Sequence, residues 1–324
     1  MKQYFCLLIA ISLLFAGCQN TDNQDIARQQ GTFVPHAEQE TGIGFANTLT
    51  ETEDVNVLSY EYFYNGGGIA VGDFNQDSLP DLYFTGNMVA NALYLNQGGL
   101  QFKAVTQIAG VAGRKNGWNT GTTLVDINND GRLDIYLCYS GDKAPELRRN
   151  ELYINQGNNS EGVPTFKENA AKYGLDLPTY TTQALFFDYD RDGDLDCYLL
   201  NQCIEDLQSF DASYVKGLSD AFAGDKLLRN DDGQFTEVTA DSGIISTPLG
   251  FGLGIAASDV NGDGWTDLYV SNDYIEEDYL YINQKDGTFK DELKQQIGHI
   301  SHFSMGSDIA DFNNDALPDI LSLD

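Results

Sequence analysis

The chain has 324 residues and a formal net charge of −31, from 49 acidic and 18 basic side chains. Nucleic-acid binding needs clustered lysine and arginine to meet the phosphates, so this balance argues against a nucleic-acid partner. It also argues against a basic membrane-surface patch. Hydrophobic residues make up 42% of the chain and aromatic residues 12%, which is enough for a packed core, so the acidity does not predict disorder.

The first eighteen residues have the pattern of an export signal. Lys2 supplies a positive start, and Phe5 to Phe15 form an apolar run too short to span a bilayer comfortably. Small residues then precede Cys18, which resembles a bacterial lipoprotein signal. We therefore expect residues 1–18 to be a signal peptide, and Cys18 to carry the lipid that anchors an exported cell-envelope protein in the outer membrane. An ordinary secretory signal with a chance cysteine is the alternative.

Residues 19–40 are polar and show little periodicity, which predicts a flexible tether. Residues 41–64 then begin to show β-character, with an aromatic run at Tyr60–Tyr64, and a turn follows at residues 65–68. We expect one folded domain over residues 41–324.

From residue 68 onward the chain repeats a pattern of four short strands. A small apolar strand enters an acidic loop, a second strand leaves the last aspartate of that loop, a third ends in a turn, and a fourth follows a phenylalanine. Short β-branched and aromatic runs between Gly, Asn and Asp turns are strand signals. Four strands per repeat are typical of β-propeller blades. The sequence therefore predicts an all-β fold, a β-propeller of four-stranded blades with about five repeats.

The fifth repeat stops at Asp324, inside its second strand. A propeller needs closure so that its outer blades do not present bare edges. The loops also start further apart than the usual blade length, in part because of insertions at residues 158–164 and 204–224. We expect an incomplete fragment of a propeller of the seven-bladed type, or an early-terminated copy.

The acidic loops carry oxygen ligands at positions 1, 3, 5 and 9, with glycine at position 6 in three of the five. Alternating oxygen ligands around a tight turn suit a hard cation such as Ca²⁺. An EF-hand would need a glutamate at position 12 and a following helix, and the loops have neither, so the aspartate at position 9 is the candidate closing ligand. The predicted ligands are Asp73, Asn75, Asp77 and Asp81; Asp126, Asn128, Asp130 and Asp134; Asp188, Asp190, Asp192 and Asp196; Asp259, Asn261, Asp263 and Asp267; and Asp311, Asn313, Asp315 and Asp319.

Two loops depart from this pattern, because Ser78 and Ala316 stand where glycine is expected. If position 6 needs a positive φ, a Cβ there costs roughly 1 kcal/mol. The second, third and fourth loops are therefore the surest sites. The third is the most acidic, with Asp190 where the others have asparagine, and we expect it to stay occupied at the lowest calcium concentration. The alternative for any single loop is a solvated Asx turn without metal.

These loops resemble the FG-GAP or VCBS repeats of integrin-α-type propellers. The run from Asn65 to Asn75, the Leu-Tyr-x-Asn-Gln-Gly turns, Phe251–Gly254 and Phe303–Gly306 also resemble the bacterial relatives of cartilage acidic protein. Those relatives often carry a further ASPIC/UnbV domain, which this sequence does not include. The resemblance implies a propeller that binds Ca²⁺ at the rims of its blades.

Three cysteines remain after the signal: Cys138, Cys197 and Cys203. An odd number cannot all pair within one chain. A disulfide between Cys197 and Cys203 is possible, but we favour Cys138 and Cys197 as small apolar residues within strands.

The sequence offers little for catalysis. His36, His299 and His302 are the only histidines, and the last two fall in a polar loop without a zinc-protease context. We therefore expect a non-enzymatic, calcium-stabilised, lipid-anchored propeller for adhesion or for binding a protein or polysaccharide. The alternative is an accessory or catalytic module of an exported polysaccharide-degrading system.

Overall fold

The computed structural model describes residues 33–202 and 221–324. The signal peptide, Cys18, residues 19–32 of the tether, Cys203 and most of the 204–224 insertion lie outside the described residues. A compact unit runs from Glu38 to Asp324, and the structure below is that unit. Among the described residues, no helix is both long enough and apolar enough to cross a membrane.

The unit is built from antiparallel sheets in which consecutive strands are neighbours. Four sheets, here called blades 1 to 4, have four strands each, and blade 5 has two strands in the described part of the chain. The strands are β1 (Ile69–Gly72), β2 (Asp81–Phe84), β3 (Ala92–Asn96), β4 (Phe102–Ala104), β5 (Asn119–Val125), β6 (Asp134–Tyr139), β7 (Glu151–Asn158), β8 (Pro164–Glu168), β9 (Thr181–Phe187), β10 (Asp196–Asn201), β11 (Lys226–Asp231), β12 (Gln234–Glu237), β13 (Gly252–Ser258), β14 (Asp267–Asn272), β15 (Tyr279–Asn283), β16 (Phe289–Asp291), β17 (Gly306–Ala310) and β18 (Asp319–Leu323).

Short helical turns separate the strands, and most follow the fourth strand of a blade. They are α1 (Glu38–Thr41), α2 (Thr106–Ala109), α3 (Pro145–Arg148), α4 (Ala170–Tyr173), α5 (Thr239–Ser242) and α6 (Leu293–Gln296). The turns α2, α4 and α5 end at glycines with left-handed φ, which turn the chain toward the next blade.

The middle strands of the blades are the most deeply buried. Every residue of β6, β10 and β14 is buried, because each of these strands has a neighbour on both sides and a blade against each face. Cys138 and Cys197 lie in β6 and β10 and share one apolar cluster, which confirms the prediction that they are small core residues. Burial raises the pKa of both thiols well above the usual value.

The first strands of successive blades pack side by side, and their small residues permit a close approach. A Cβ added at Gly121 would lie 2.5 Å from the carbonyl oxygen of Thr182. Threonine hydroxyls cross the same junctions: Thr120 donates to the carbonyl of Thr181 at 2.6 Å, and Thr182 donates to that of Gly252 at 2.7 Å. Four-stranded blades joined through their first strands form a β-propeller, as the sequence predicts.

The aromatic run at residues 60–64 is not a strand, so the β-character predicted there is wrong. It forms turns in which Tyr60, Tyr62 and Phe63 are buried against Trp118 and Phe251. We call residues 47–66 the strap, because they connect parts of the propeller that are far apart in sequence. Burial of these aromatic side chains in the cluster outweighs their preference for strand structure.

The strap is held by buried polar contacts. The hydroxyl of Tyr62 donates to Asp273 of the blade 4 region at 3.0 Å, and the Gln202 amide donates to the hydroxyls of Tyr60 and Ser140 at 2.6 and 2.8 Å. Residues of blades 2, 3 and 4 therefore take part in the contacts that hold the strap.

Candidate metal centre

Each acidic loop joins the first and second strands of its blade. The closing aspartate is the first residue of the second strand and pairs with the last residue of the first strand, as with Gly72 and Asp81 or Ser258 and Asp267. All five loops therefore lie at the same end of their blades. The sequence placed the loops correctly because the two strand patterns that flank them are short and clear.

The closing aspartates of the first four loops are fully buried. In each, one carboxylate oxygen accepts the N–H of loop position 2 and the other accepts the N–H of an asparagine on the third strand, at 2.7–3.2 Å. Burial raises the pKa of Asp81 and Asp134 to about 6 and that of Asp196 to about 7, although the backbone hydrogen bonds act in the opposite direction. Each oxygen keeps a further lone pair for a cation.

In the first, second, fourth and fifth loops the opening aspartate is engaged with the backbone. Its two oxygens accept the N–H groups of positions 5 and 6 at 2.7–3.0 Å. In the first, second and fourth loops the asparagine at position 3 also donates its amide to the aspartate at position 5, at 2.9–3.0 Å. In these three loops the hydrogen bond from the side-chain amide thus offsets part of the repulsion between the carboxylates.

The third loop is built differently. The carboxylate oxygens of Asp188, Asp190 and Asp196 lie within 4.8 Å of one another. Asp190 replaces the asparagine, so no amide is available at position 3, and burial together with the Asp192 charge raises the pKa of Asp190. One oxygen each of Asp188 and Asp194 is buried and has no hydrogen-bond partner among the described residues.

Those unpartnered oxygens are the observation that fits a cation. Buried carboxylate oxygens without donors carry a desolvation cost that a divalent ion offsets. Three convergent carboxylates from one short loop are ligands of the hard-oxygen type that Ca²⁺ prefers. The donor set of the third loop therefore fits calcium.

The loop backbone explains the residues at position 6. Ser78 has a φ of 70° and Ala316 a φ of 68°, in the same left-handed region as the glycines at this position. The requirement for positive φ is thus confirmed, and the two side chains are strained there. Position 4 is left-handed too, as in Gln76 and Arg191 with φ of 60° and 61°, which the sequence pattern did not reveal.

Neighbouring loops touch through their fourth residues. The Gln76 amide donates to the carbonyl of Gly131 in the second loop at 2.9 Å. The Arg191 guanidinium lies 4.8 Å from the centre of the Trp265 ring in the fourth loop. The loops therefore form part of a connected rim, and are not five independent turns.

A second repeated polar pair lies at the opposite end of the blades. The first residue of each third-strand run accepts a backbone N–H from the end of the second strand, and in blades 3 and 4 this residue is an aspartate that also accepts a buried tyrosine hydroxyl. The acceptors are Asn91, Asn150, Asp225 and Asp278, and the tyrosines of blades 3 and 4 are Tyr198 and Tyr269. The repeated Asn or Asp that begins the third-strand run was the available signal for these pairs.

The remaining candidates have simpler surroundings. His299 and His302 are exposed in a loop, as predicted, and the ring of His302 packs against Phe303.

Comparison with known proteins agrees with this architecture. The FG-GAP-like repeat family matches residues 73–137 and 259–322, which include the first, second, fourth and fifth loops. The chain therefore carries FG-GAP-like repeats, as its motifs predict.

The chain is also homologous, at low identity, to cartilage acidic protein 1. It is 26% identical to the Mus musculus protein over 208 residues, 26% identical to the Homo sapiens protein over 211, and 28% identical to the Xenopus tropicalis protein over 216. Each match covers 64% of this chain and 28–29% of the relative, so the match spans less than a third of those proteins. A solved structure of an Agrocybe aegerita lectin that recognises non-reducing terminal N-acetylglucosamine covers 78% of this chain and 59% of its own, at 18% identity and a TM-score of 0.41.

Proposed function

We propose that this chain is a non-enzymatic, calcium-stabilised β-propeller that binds a protein or polysaccharide at the cell envelope, where a lipid on Cys18 anchors it. The observation that carries the calcium part is the third loop, with its three convergent carboxylates and its unpartnered buried oxygens. The FG-GAP-like repeats support the same conclusion, since such loops supply oxygen ligands at alternating positions.

A binding role is favoured over a catalytic one by the state of the carboxylates. The closing aspartates of the acidic loops accept backbone N–H groups, as do the opening aspartates of four of the five loops, and a bound cation would engage the oxygens that remain. The opposite end of the blades carries other connecting loops, and loops held by a rigid scaffold of sheets are where ligand sites are commonly found. A rigid scaffold that presents such loops is sufficient for adhesion or ligand binding.

Calcium removal tests the proposal. The full chain is stripped of metal with a chelator, and thermal unfolding is followed by calorimetry during a Ca²⁺ titration. An ion that binds only the folded state at a hundred times its Kd adds about 2.7 kcal/mol, so we expect the melting temperature to rise by roughly 5 °C or more for each occupied site. Mg²⁺, which demands a tighter octahedral shell, should have a smaller effect. An unchanged melt would refute the calcium role.

A matched pair of variants assigns the effect to the third loop. Asp190→Asn gives this loop the asparagine amide that the four other loops already have, and we expect its calcium affinity to fall about tenfold, since a charged ligand is lost. Asn128→Asp makes the reverse change in the second loop and should raise calcium affinity there. If the two variants bind calcium with equal affinity, the tightest calcium site is not in the third loop.

A further inference from the structure

A cavity of about 430 Å³ opens between blades 1 and 2, at the end opposite the metal loops. Its walls are residues 87–90, between β2 and β3; residues 112–118, which lead into β5; and Lys143, between β6 and β7. A volume of this size falls in the range of about 300–1,000 Å³ that small-molecule sites occupy.

The charge of the cavity is opposite to that of the whole chain. Its walls include Arg114, Lys115 and Lys143, and no aspartate or glutamate. Acidic residues outnumber basic ones 49 to 18 in the sequence, so three basic residues without an acidic one form a marked exception. A local positive field inside an acidic surface selects anions at short range.

Two of the three cations are available to a ligand. The Arg114 guanidinium is held by the Glu151 carboxylate at 3.2 Å and by the carbonyl of Glu146. In the described part of the chain, no carboxylate lies within 4.0 Å of the amino groups of Lys115 or Lys143. The fixed arginine therefore shapes the wall, and the two lysines supply uncompensated charge.

A buried aromatic ring forms part of the cavity wall. Trp118 lines the cavity, and the Lys143 amino group lies 6.0 Å from the centre of its ring. The ring is held from behind by Tyr60 and Phe63, at centroid distances of 5.5 and 5.4 Å. Its position is therefore fixed before any ligand arrives, which reduces the ordering cost of binding.

We propose that this cavity binds an acidic saccharide of the uronic-acid type. Lys115 and Lys143 hold the carboxylate, and the exposed Asn116 side chain lies within the same wall to pair with hydroxyls. Trp118 is 3% exposed, so it shapes the wall without offering its ring face to the ligand. A small volume, an exposed amide and two free cations match one or two charged sugar rings better than a length of acidic peptide. The inference rests on the proposed ligand-binding function and names the class of its ligand.

Calorimetry of the calcium-saturated full chain at low ionic strength tests it, with cellobiouronic acid and its neutral counterpart cellobiose as probes. We expect the acid to bind at least about ten times more tightly than cellobiose, the ratio that one charge-assisted hydrogen bond provides. The Lys115→Gln/Lys143→Gln double variant should bind the acid no better than the neutral sugar.

The Lys103→Gln/Lys167→Gln double variant is the matched control. It removes the same charge from two exposed lysines outside the cavity and should leave binding of the acid unchanged. Equal binding of acid and neutral sugar, or no effect of the cavity variant, would overturn the inference while leaving a ligand-binding propeller in place. Stronger binding of a short polyglutamate would overturn it in favour of an acidic peptide. Binding of neither sugar, with the calcium-dependent melt intact, would overturn the inference alone.

Discussion

At the scale of single residues, the same position carries either an amide or a carboxylate. Asn91 and Asn150 begin the third-strand runs of blades 1 and 2, whereas Asp225 and Asp278 begin those of blades 3 and 4. Each accepts a backbone N–H with similar geometry, at 2.8–3.0 Å. The carboxylate brings a titratable group into the core. Burial raises the pKa of Asp225 to about 7, even though Asn201 and Tyr198 donate to it.

Asp225 therefore gives the fold a pH dependence with a definite sign. The unfolded carboxyl releases its proton near pH 4, and the folded one near 7. Between these values the folded state holds more protons, so this group's contribution is fully present below pH 4 and is lost as the pH rises to 7. We expect Asp225→Asn, the residue type of blade 2, to remove a pH dependence of the unfolding free energy of about 4 kcal/mol, because the pKa differs by about three units and each unit corresponds to about 1.36 kcal/mol. Urea unfolding of both proteins at several pH values measures the difference. Parallel pH profiles would show that Asp225 is already ionised.

The sequence revealed most of the loop residues but not what distinguishes them. Positions 1, 3, 5 and 9 were visible because the motif recurs five times. The left-handed backbone at position 4 and the unpartnered oxygens of Asp188 and Asp194 depend on backbone angles and hydrogen-bond directions, which the motif does not encode. The tyrosine–aspartate pairs were missed because their members lie on different strands, and only the sheet pairing brings them together.

At the scale of elements, the strap connects parts of the propeller that are far apart in sequence. Its aromatic run has strong strand propensity, yet it folds as turns, because Tyr60, Tyr62 and Phe63 gain more by burial against Trp118 than by joining a sheet edge. The strand pattern of the blades was predictable from local sequence. The strap was not, because Trp118 and Phe251, against which its aromatic side chains pack, are more than fifty residues away.

Removing the Tyr62 hydroxyl tests how much its contact with Asp273 stabilises the protein. In Tyr62→Phe the buried Asp273 loses the donor at 3.0 Å, and a buried acceptor left unpaired costs about 1–3 kcal/mol. Tyr64→Phe is the matched control, because Tyr64 is 62% exposed and its hydroxyl contacts Glu51 at the surface. Its effect should stay within about 0.5 kcal/mol. Thermal unfolding distinguishes the two, and similar losses would mean that the Asp273 contact adds nothing.

At the scale of the whole molecule, the junctions between blades decide the architecture. The repeat pattern predicted blades, and their number of strands follows from the spacing of turns and loops. How closely the blades approach depends on small residues such as Gly68 and Gly121, where an added Cβ would lie 2.9 and 2.5 Å from backbone atoms of the next blade. These glycines looked like ordinary strand or turn residues until the neighbouring strand was in place.

Gly121→Ala should therefore force blades 2 and 3 apart. We expect it to destabilise the protein by about 1–3 kcal/mol, the usual cost of overpacking a filled interior. Gly298→Ala adds the same methyl group where nothing lies within 4 Å and should change the unfolding free energy by no more than about 0.5 kcal/mol. Chemical denaturation measures both. A Gly121→Ala protein as stable as the control would show that the junction between blades 2 and 3 accommodates the added methyl group.

An asparagine on the third strand reaches across a junction in two places. Asn155 donates to the carbonyl of Phe74 at 3.0 Å, and Asn283 donates to that of Tyr189 at 2.8 Å. The donor belongs to one repeat, and the acceptor occupies position 2 of the preceding repeat's loop. A gene segment that encodes one blade thus encodes both halves of its own interface. A tandem copy of such a segment would therefore bring its own junction contact with it.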